Sequence, residues 1–311
     1  MYIQLTPMRK VALIIGSLTL SLACLLSLIS LRGINFKDSF MLLPDVNIYF
    51  PKSPEFMNYL MIAFVIGLLP YTVIVIINDI YIDNIRKNVP IVLRELVEGL
   101  RSGLTMPQAV ERVGRRRKDP LSRILRQAAL LMSLGMPFDE AIERAAKKVR
   151  IPLIHRIVTT LKLAYMSGGK AVEVLETAAS IYSSLWAYEN ERRASIREYV
   201  LIVYISIVVM VLVSFMIVNF FLKSFAETIA RSTTIPGMPT ITGFLILGVY
   251  DCLLKIACII EAIFGGLIAG KMSRGKLSSG VPHMFFLLLI AVIEWNMLHI
   301  IGGFLRGFLG T

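Results

Sequence analysis

The residues closest to a recognisable chemical site are Gly265, Gly270 and Lys271, whose spacing nearly matches a phosphate-binding loop. That loop needs a serine or threonine after the lysine to hold Mg²⁺, and it links a strand to a helix. Here Met272 follows the lysine, and the motif comes at the end of a long apolar run. We therefore expect no nucleotide hydrolysis at this motif.

The histidines and cysteines show no spacing typical of catalysis or metal binding. His155, His283 and His299 lie far apart in the sequence, and His155 falls in an apolar helical segment, where we expect a packed, hydrogen-bonded side chain. The cysteines lie in long apolar runs without the paired spacing of a zinc site or a disulfide framework. They are Cys24, Cys252 and Cys258. We predict that the protein is not an enzyme and needs no cofactor or metal.

Ionisable residues in the last two apolar runs are the other candidates for a functional site. Asp251 and Lys255 are four residues apart and can pair on one helix face. Such groups are costly in lipid and usually face a helix-bundle interior or a water-filled path. We favour a structural role as contacts between helices, but a transport pathway would use the same residues. The candidates are Asp251, Lys255, Glu261, Glu294 and His299.

The composition sets the class of the protein. Hydrophobic residues make up 56% of the chain, the mean hydropathy is +0.71, and only 17% of residues are charged, against about 25% in soluble domains. A membrane-spanning helix needs about 20 apolar residues. Five stretches supply them, and they predict an all-α, polytopic membrane protein with about five transmembrane helices. The stretches are 11–31, 60–77, 199–222, 241–269 and 284–304.

The basic residues predict the orientation in the cell membrane. The segment 80–198 carries 21 Lys and Arg against 13 Asp and Glu, and the N-terminus and the 271–282 loop carry basic residues without acidic ones. Because cytoplasmic flanks are enriched in Lys and Arg, we place these three parts in the cytoplasm. The predicted domains are a membrane region with two spans, a cytoplasmic helical domain and a membrane region with three spans. Their bounds are 1–79, 80–198 and 199–311.

The cytoplasmic segment is predicted to form six helices. Pro90 opens the first, and Asp119 with Pro120 caps and opens the third. Thr105 and Gln108 have the spacing of a capping box at the second helix. The sixth helix has no stop signal and continues into the third span. The predicted bounds are 90–103, 107–117, 120–135, 137–149, 152–167 and 170 onward.

Glycines mark the turns of this segment, and two of the turns belong to an internal repeat. Gly103 and Gly135 are each followed six residues later by alanine, then an aliphatic residue, Glu and Arg. Glycine suits the left-handed position that ends a helix. We therefore assign the bundle turns to Gly103, Gly135, Gly168 and Gly169.

Three motifs, at 102–110, 134–142 and 167–176, resemble the cytoplasmic helical bundle of type II secretion system F domains. Proteins with these domains are the membrane platforms of type II secretion, type IV pili, tight-adherence pili and archaeal pili or flagella. The resemblance covers roughly 88–225. It implies a platform that contacts a hexameric secretion ATPase and pilin-like subunits. A single bundle further implies a homodimer or pairing with a second F-domain protein.

The densest basic cluster is Arg115, Arg116, Arg117 and Lys118, between the second and third predicted helices. Two interpretations stay open: a solvated loop or contact with anionic membrane lipids, and docking of an acidic face of the ATPase. Nucleic acid is not expected as a partner, because the segment lacks the alternation of aromatic and basic residues that base stacking uses.

Overall fold

The computed structural model describes residues 7–33, 39–43, 48–147, 149, 151–225 and 247–309; at some of these positions, His299 and 302–309 among them, only the backbone is described. The described chain is 90% helical. Its long helices are α1 Pro7–Arg32, α2 Pro54–Arg101, α3 Met106–Arg116, α4 Pro120–Ser133, α5 Phe138–Ala146, α6 Pro152–Met166, α7 Ala171–Met216, α8 Leu247–Arg274 and α9 Val281–Leu309. Short 3₁₀ helices at Gly168–Lys170 and Leu277–Gly280 and a π-helix at Ile217–Leu222 complete the helical structure of these residues.

The chain divides into two compact units. Among the described residues, those between 76 and 195 form the first unit, and those between 7 and 75 and between 196 and 309 form the second. Each unit has its own apolar core. In the first unit the core draws on α2 to α7, and in the second unit it draws on α2, α7, α8 and α9.

Five helices are long and apolar enough to cross a membrane, which agrees with the predicted number of spans within the described residues. The fourth predicted span, 241–269, coincides with α8 from Leu247 onward, and 241–246 lie outside the described residues. The prediction did not foresee a small antiparallel hairpin of β1 Phe40–Leu43 and β2 Ile48–Pro51, which pairs Met41 with Phe50.

The predicted start of a helix at Pro90 is wrong, because α2 is one continuous helix over Pro54–Arg101. A proline inside a helix removes one backbone hydrogen bond and usually ends or kinks the helix. Here the helix carries buried side chains on both sides of the proline: Val89, Leu93 and Leu96 are each no more than 1% exposed. Apolar burial of this face offsets the lost hydrogen bond.

The other helices of the first unit begin and end within a few residues of their predicted positions. The amide of Thr105 donates to Oε1 of Gln108 at 2.9 Å, as the predicted capping box requires. The largest difference is α5, which ends at Ala146, three residues before the predicted end. The sixth predicted helix is α7, which continues without a break through residues of both units.

Candidate functional site

The basic cluster at 115–118 lies at the turn between α3 and α4, and Arg117 is its inward-facing member. Its guanidinium donates to three side chains: Oε1 of Glu95 at 2.8 Å, Oδ2 of Asp119 at 2.8 Å and Oδ1 of Asn88 at 2.7 Å. Its side chain is only 23% exposed. Because Glu95 and Asn88 are on α2, this one side chain ties the turn to α2.

The other three members of the cluster are exposed to solvent. Arg115 is 77% exposed and pairs with Glu111 one helical turn earlier at 2.7 Å, and such exposed pairs contribute little to stability. The sequence analysis grouped these four residues in one basic cluster. The structure separates Arg117, which is used within the fold, from Arg115, Arg116 and Lys118, whose charges face outward.

Asp119 performs two tasks at this turn. It caps α4, since its Oδ1 accepts from the amide of Ser122 at 2.9 Å, and it also forms the ion pair with Arg117. Burial alone would raise the pKa of this carboxyl, but the hydrogen bonds from Arg117 and Ser122 outweigh burial and hold the pKa below its usual value. The same ion pair raises the pKa of Arg117. Both groups are therefore charged at neutral pH.

Gly114 and Arg126 fix how closely α3 and α4 approach, and neither was identified from the sequence. A Cβ at Gly114 would collide with the backbone of Arg126. The Arg126 guanidinium donates to the carbonyls of Gly114 at 3.0 Å and Arg117 at 2.9 Å, which satisfies acceptors at the end of α3. A small residue near a helix end, followed 12 residues later by arginine, is too weak a signal to find from one sequence.

The turn glycines assigned from the sequence adopt two different backbone conformations. Gly103, Gly135 and Gly168 have φ of 87°, 91° and 53°, the left-handed conformation that favours glycine. Gly169 instead lies inside the short 3₁₀ helix Gly168–Lys170. In the repeat, the alanines six residues after Gly103 and Gly135 are fully buried. Because these side chains are small, α3 and α5, which contain them, can pack closely in the core.

In the second unit, Asp251 and Lys255 form the predicted ion pair along α8, with 2.8 Å between Oδ2 and Nζ. Their side chains are 5% and 2% exposed. The Lys255 ammonium also donates to the carbonyl of Pro54 at 2.9 Å and lies 4.9 Å from the ring centroid of Trp295. The pair therefore joins α8 to the start of α2 and to α9, and it is enclosed by protein.

Glu261 and Glu294, the other candidates whose side chains are described, do not join this pair. Glu261 accepts a hydrogen bond from the hydroxyl of Ser206 on α7. Oε2 of Glu294 is buried without a hydrogen-bond partner among the described residues. The side chain of His299 lies outside the described residues. The structure thus distributes the four candidates whose side chains are described over separate positions instead of gathering them in one site.

Two polar contacts in this unit join helices through residues that lie far apart in the sequence. The side-chain amides of Asn58 and Asn296 bond to each other, with 3.0 Å between Nδ2 of Asn58 and Oδ1 of Asn296. The hydroxyl of Tyr204 lies 3.0 Å from Nδ1 of His283. In lipid such interhelical hydrogen bonds hold neighbouring helices in register.

Glycines bring α8 and α9 into direct contact near the turn that connects them. A Cβ at Gly266 would overlap Met284, and one at Gly270 would overlap the backbone of Gly280. Small residues at a helix interface permit this close approach, and Gly270, which is part of the near match to a phosphate-binding loop, is used here for helix packing.

The prediction for His155 is wrong, because its side chain is exposed on α6 and not packed in the bundle. The apolar face of α6 is formed by its neighbours Ile154, Ile157 and Val158, and the histidine lies beside this face on the exposed side. Within the described part of the chain, no three His, Cys, Asp or Glu side chains come together as metal ligands would.

Comparison with known proteins identifies one family and one relative. Residues 92–218 match the family described as Type II secretion system (T2SS), protein F, which confirms the resemblance seen in the sequence. An uncharacterized protein of Methanocaldococcus jannaschii is 23% identical over 235 residues, which are 75% of this chain and 37% of the relative. The chain thus spans little more than a third of the length of that relative. No solved structure matches.

The contribution of the Asp119 charge to stability can be measured by replacing this residue with asparagine. Asparagine can still cap α4, but it removes the negative charge that faces Arg117. We expect Asp119→Asn to lower the stability of the first unit at pH 7 by about 1 kcal/mol. The ion pair stabilises above the ordinary carboxyl pKa of about 4. Its contribution disappears as the pH falls through the lowered pKa of the folded state.

The measurement is thermal unfolding followed by the fluorescence of Trp186 in a Trp295→Phe background, at several pH values between 7 and 2. Glu140→Gln, which neutralises an exposed carboxyl on α5, is the control. The difference between Asp119→Asn and the parent should shrink at low pH. A difference that is the same at every pH would contradict the assigned role of the charge.

The buried pair of Asp251 and Lys255 leads to a second prediction. Lys255→Met alone strands a carboxylate in an apolar interior, and we expect it to destabilise the protein in nanodiscs by about 3–5 kcal/mol. The double variant Asp251→Leu with Lys255→Met should regain most of this loss, because no uncompensated charge is left. The measurement is thermal unfolding of the parent, of Lys255→Met and of the double variant. If the double variant is no more stable than Lys255→Met, the stabilisation comes from more than charge balance.

Proposed function

We propose that this protein is the membrane platform of a machine that assembles a pilus-like filament or secretion pseudopilus, because residues 92–218 match the family described as Type II secretion system (T2SS), protein F. In this role it couples a cytoplasmic secretion ATPase to pilin-like subunits. Members of this family are membrane platform proteins, not enzymes. The family match carries the proposal, and the architecture of the two units supports it.

The first unit offers charges that suit an acidic partner. Arg115, Arg116 and Lys118 are exposed around a turn whose geometry is fixed from inside by Arg117. Charges held on a rigid turn lose less conformational freedom on binding than charges on a mobile loop. We propose that these three residues attract the acidic face of the ATPase, while Arg117 keeps the turn in place.

The second unit offers apolar surface that suits a membrane-embedded partner. The most apolar part of α1 has none of its residues buried inside the structure. On α7, apolar side chains such as Leu201, Ile205 and Val209 are more than half exposed. These helix faces are available to lipid or to another apolar helix, and we propose that pilin-like subunits bind there through their own apolar helices.

The helix α7 supplies a connection between the two partners. It includes residues of both units and has no interruption over Ala171–Met216. Within the first unit, Arg193 pairs with Asp83 and Glu189 pairs with Arg86, each at 2.9 Å, so α7 is fastened to α2. We propose that this helix transmits movement of the ATPase-bound unit to the membrane.

Docking to the ATPase is tested with the full chain in nanodiscs and the secretion ATPase from the same source. Reversal of the three exposed charges, in Arg115→Glu, Arg116→Glu and Lys118→Glu combined, should weaken binding about tenfold or more, because complementary charges become repulsive. Binding by the parent should fall as salt is raised.

The matched control reverses three exposed basic residues elsewhere in the first unit, with Lys87→Glu, Lys170→Glu and Arg192→Glu combined. This control makes the same change in net charge and should bind nearly as the parent does. Equal weakening by both triple variants would mean that only net charge matters. No binding by the folded parent would overturn the proposed coupling to the ATPase.

Transmission through α7 is tested by making the helix flexible without changing its length. Glu191 and Arg192 are both exposed, and each glycine in a helix costs roughly 1 kcal/mol relative to alanine. We expect Glu191→Gly with Arg192→Gly to leave membrane insertion and ATPase binding intact but to reduce filament assembly in cells.

The control is Glu191→Ala with Arg192→Ala, which removes the same charges and favours the helix. It should assemble filaments as the parent does. If the glycine variant assembles filaments equally well, stiffness of α7 is not required.

A further inference from the structure

The first unit contains a cleft that the proposed function does not use. It lies between the end of α5 and the start of α6 and has a volume of about 480 Å³, within the range of roughly 300–1,000 Å³ typical of binding sites. Its lining includes apolar side chains that also belong to the core of the unit. These are Ala146, Ile151, Ile154 and Val158, each 1–6% exposed.

Basic groups lie at the mouth of this cleft. Lys147 and His155 line it and are exposed. Its one lining carboxylate, that of Glu143, is already paired with Lys162 at 2.8 Å. An entering ligand therefore meets net positive charge around an apolar interior.

The sequence around the cleft has a strong excess of basic residues. Between positions 144 and 156 there are five Lys and Arg and no Asp or Glu. Some of this charge complements the carboxyl end of α5, but a helix terminus carries only about half an elementary charge. The remaining positive charge has no corresponding acidic group in this segment.

From this combination we infer that the cleft is a docking site for an acidic, amphipathic segment of a cytoplasmic protein. An apolar side chain of that segment enters the cleft, and neighbouring carboxylates lie against Lys147 and His155. Recognition by apolar anchors flanked by charges is typical of helix-in-groove binding. A polar metabolite fits poorly, because the lining has few polar groups to orient it.

An anionic membrane surface is the competing occupant, since it too is attracted by basic residues. A membrane surface needs only exposed basic residues, whereas this cleft also has apolar lining side chains that are 1–6% exposed. A side chain that protrudes from a partner can enter such a recess. The shape therefore favours a protein segment.

The inference rests on the proposed function to the extent that the secretion ATPase is taken as the partner. It adds a second contact, separate in sequence from Arg115, Arg116 and Lys118, with a different chemistry. The turn at 115–118 offers charge alone, whereas the cleft also offers an apolar anchor site. Salt should therefore weaken the cleft contact only in part, because apolar burial is not screened.

The test measures binding of the same ATPase to the full chain in nanodiscs of neutral lipid and, separately, of anionic lipid. One variant reverses the charge at the mouth, with Lys147→Glu and His155→Glu. Another, Val149→Trp, fills the cleft at a half-buried lining position without changing its charge. Each should weaken binding about tenfold or more in both lipids.

Two control variants make the same chemical changes away from the cleft. Lys170→Glu reverses an exposed charge, and Leu130→Trp adds an indole at an exposed position on α4. Both should bind the ATPase as the parent does. Circular dichroism of each variant verifies that the helices are retained.

The results distinguish failure of the cleft as a docking site from failure of the proposed coupling to the ATPase. If the parent binds and both cleft variants bind equally well, the docking site is not the cleft, although the platform role stands. If the variants lose binding only in anionic lipid, the cleft contacts lipid and the inference is wrong. If the parent does not bind at all, the proposed coupling and the cleft inference both fail.

Discussion

The first unit depends on the placement of one guanidinium. Arg117 reaches from the α3–α4 turn to Glu95 and Asn88 on α2 and to the capping carboxylate of Asp119. A partly buried arginine is favourable only when its donors are satisfied, and here three acceptors converge on it. The consequence extends to its neighbours: because Arg117 faces inward, the adjacent basic residues of the cluster are presented to solvent from a fixed turn.

The second unit meets a different constraint, because polar groups in an apolar helix bundle are costly unless they are paired within the protein. The ion pair of Asp251 and Lys255 is completed by a backbone carbonyl and an indole ring, and two asparagines bond to each other across helices. Close backbone contact at Gly266 and Gly270 completes the packing. These contacts fix neighbouring helices against one another without a large apolar driving force between them. Such fixed packing suits the proposed transmission of movement through the helices.

The two candidate contact regions of the first unit differ in physical character. At 115–118 the charges surround a turn and offer no apolar recess. Between α5 and α6 a recess is lined with core residues and bordered by Lys147 and His155. Charge speeds encounter and selects the partner, while apolar burial slows dissociation. In the proposed role, in which the first unit binds the secretion ATPase, both kinds of contact can contribute.

Much of the fold could be predicted from the sequence because its signals are local. The caps at Thr105 and Asp119 and the turns at Gly103 and Gly135 depend on residues a few positions apart, and the five apolar helices depend on composition over about 20 residues. The tertiary structure alone decided the inward position of Arg117, whose partners are as far as 29 residues away. It also decided that α2 continues through Pro90 and that His155 is exposed. These features depend on which distant residues approach one another and bury apolar surface together, which short-range patterns do not encode.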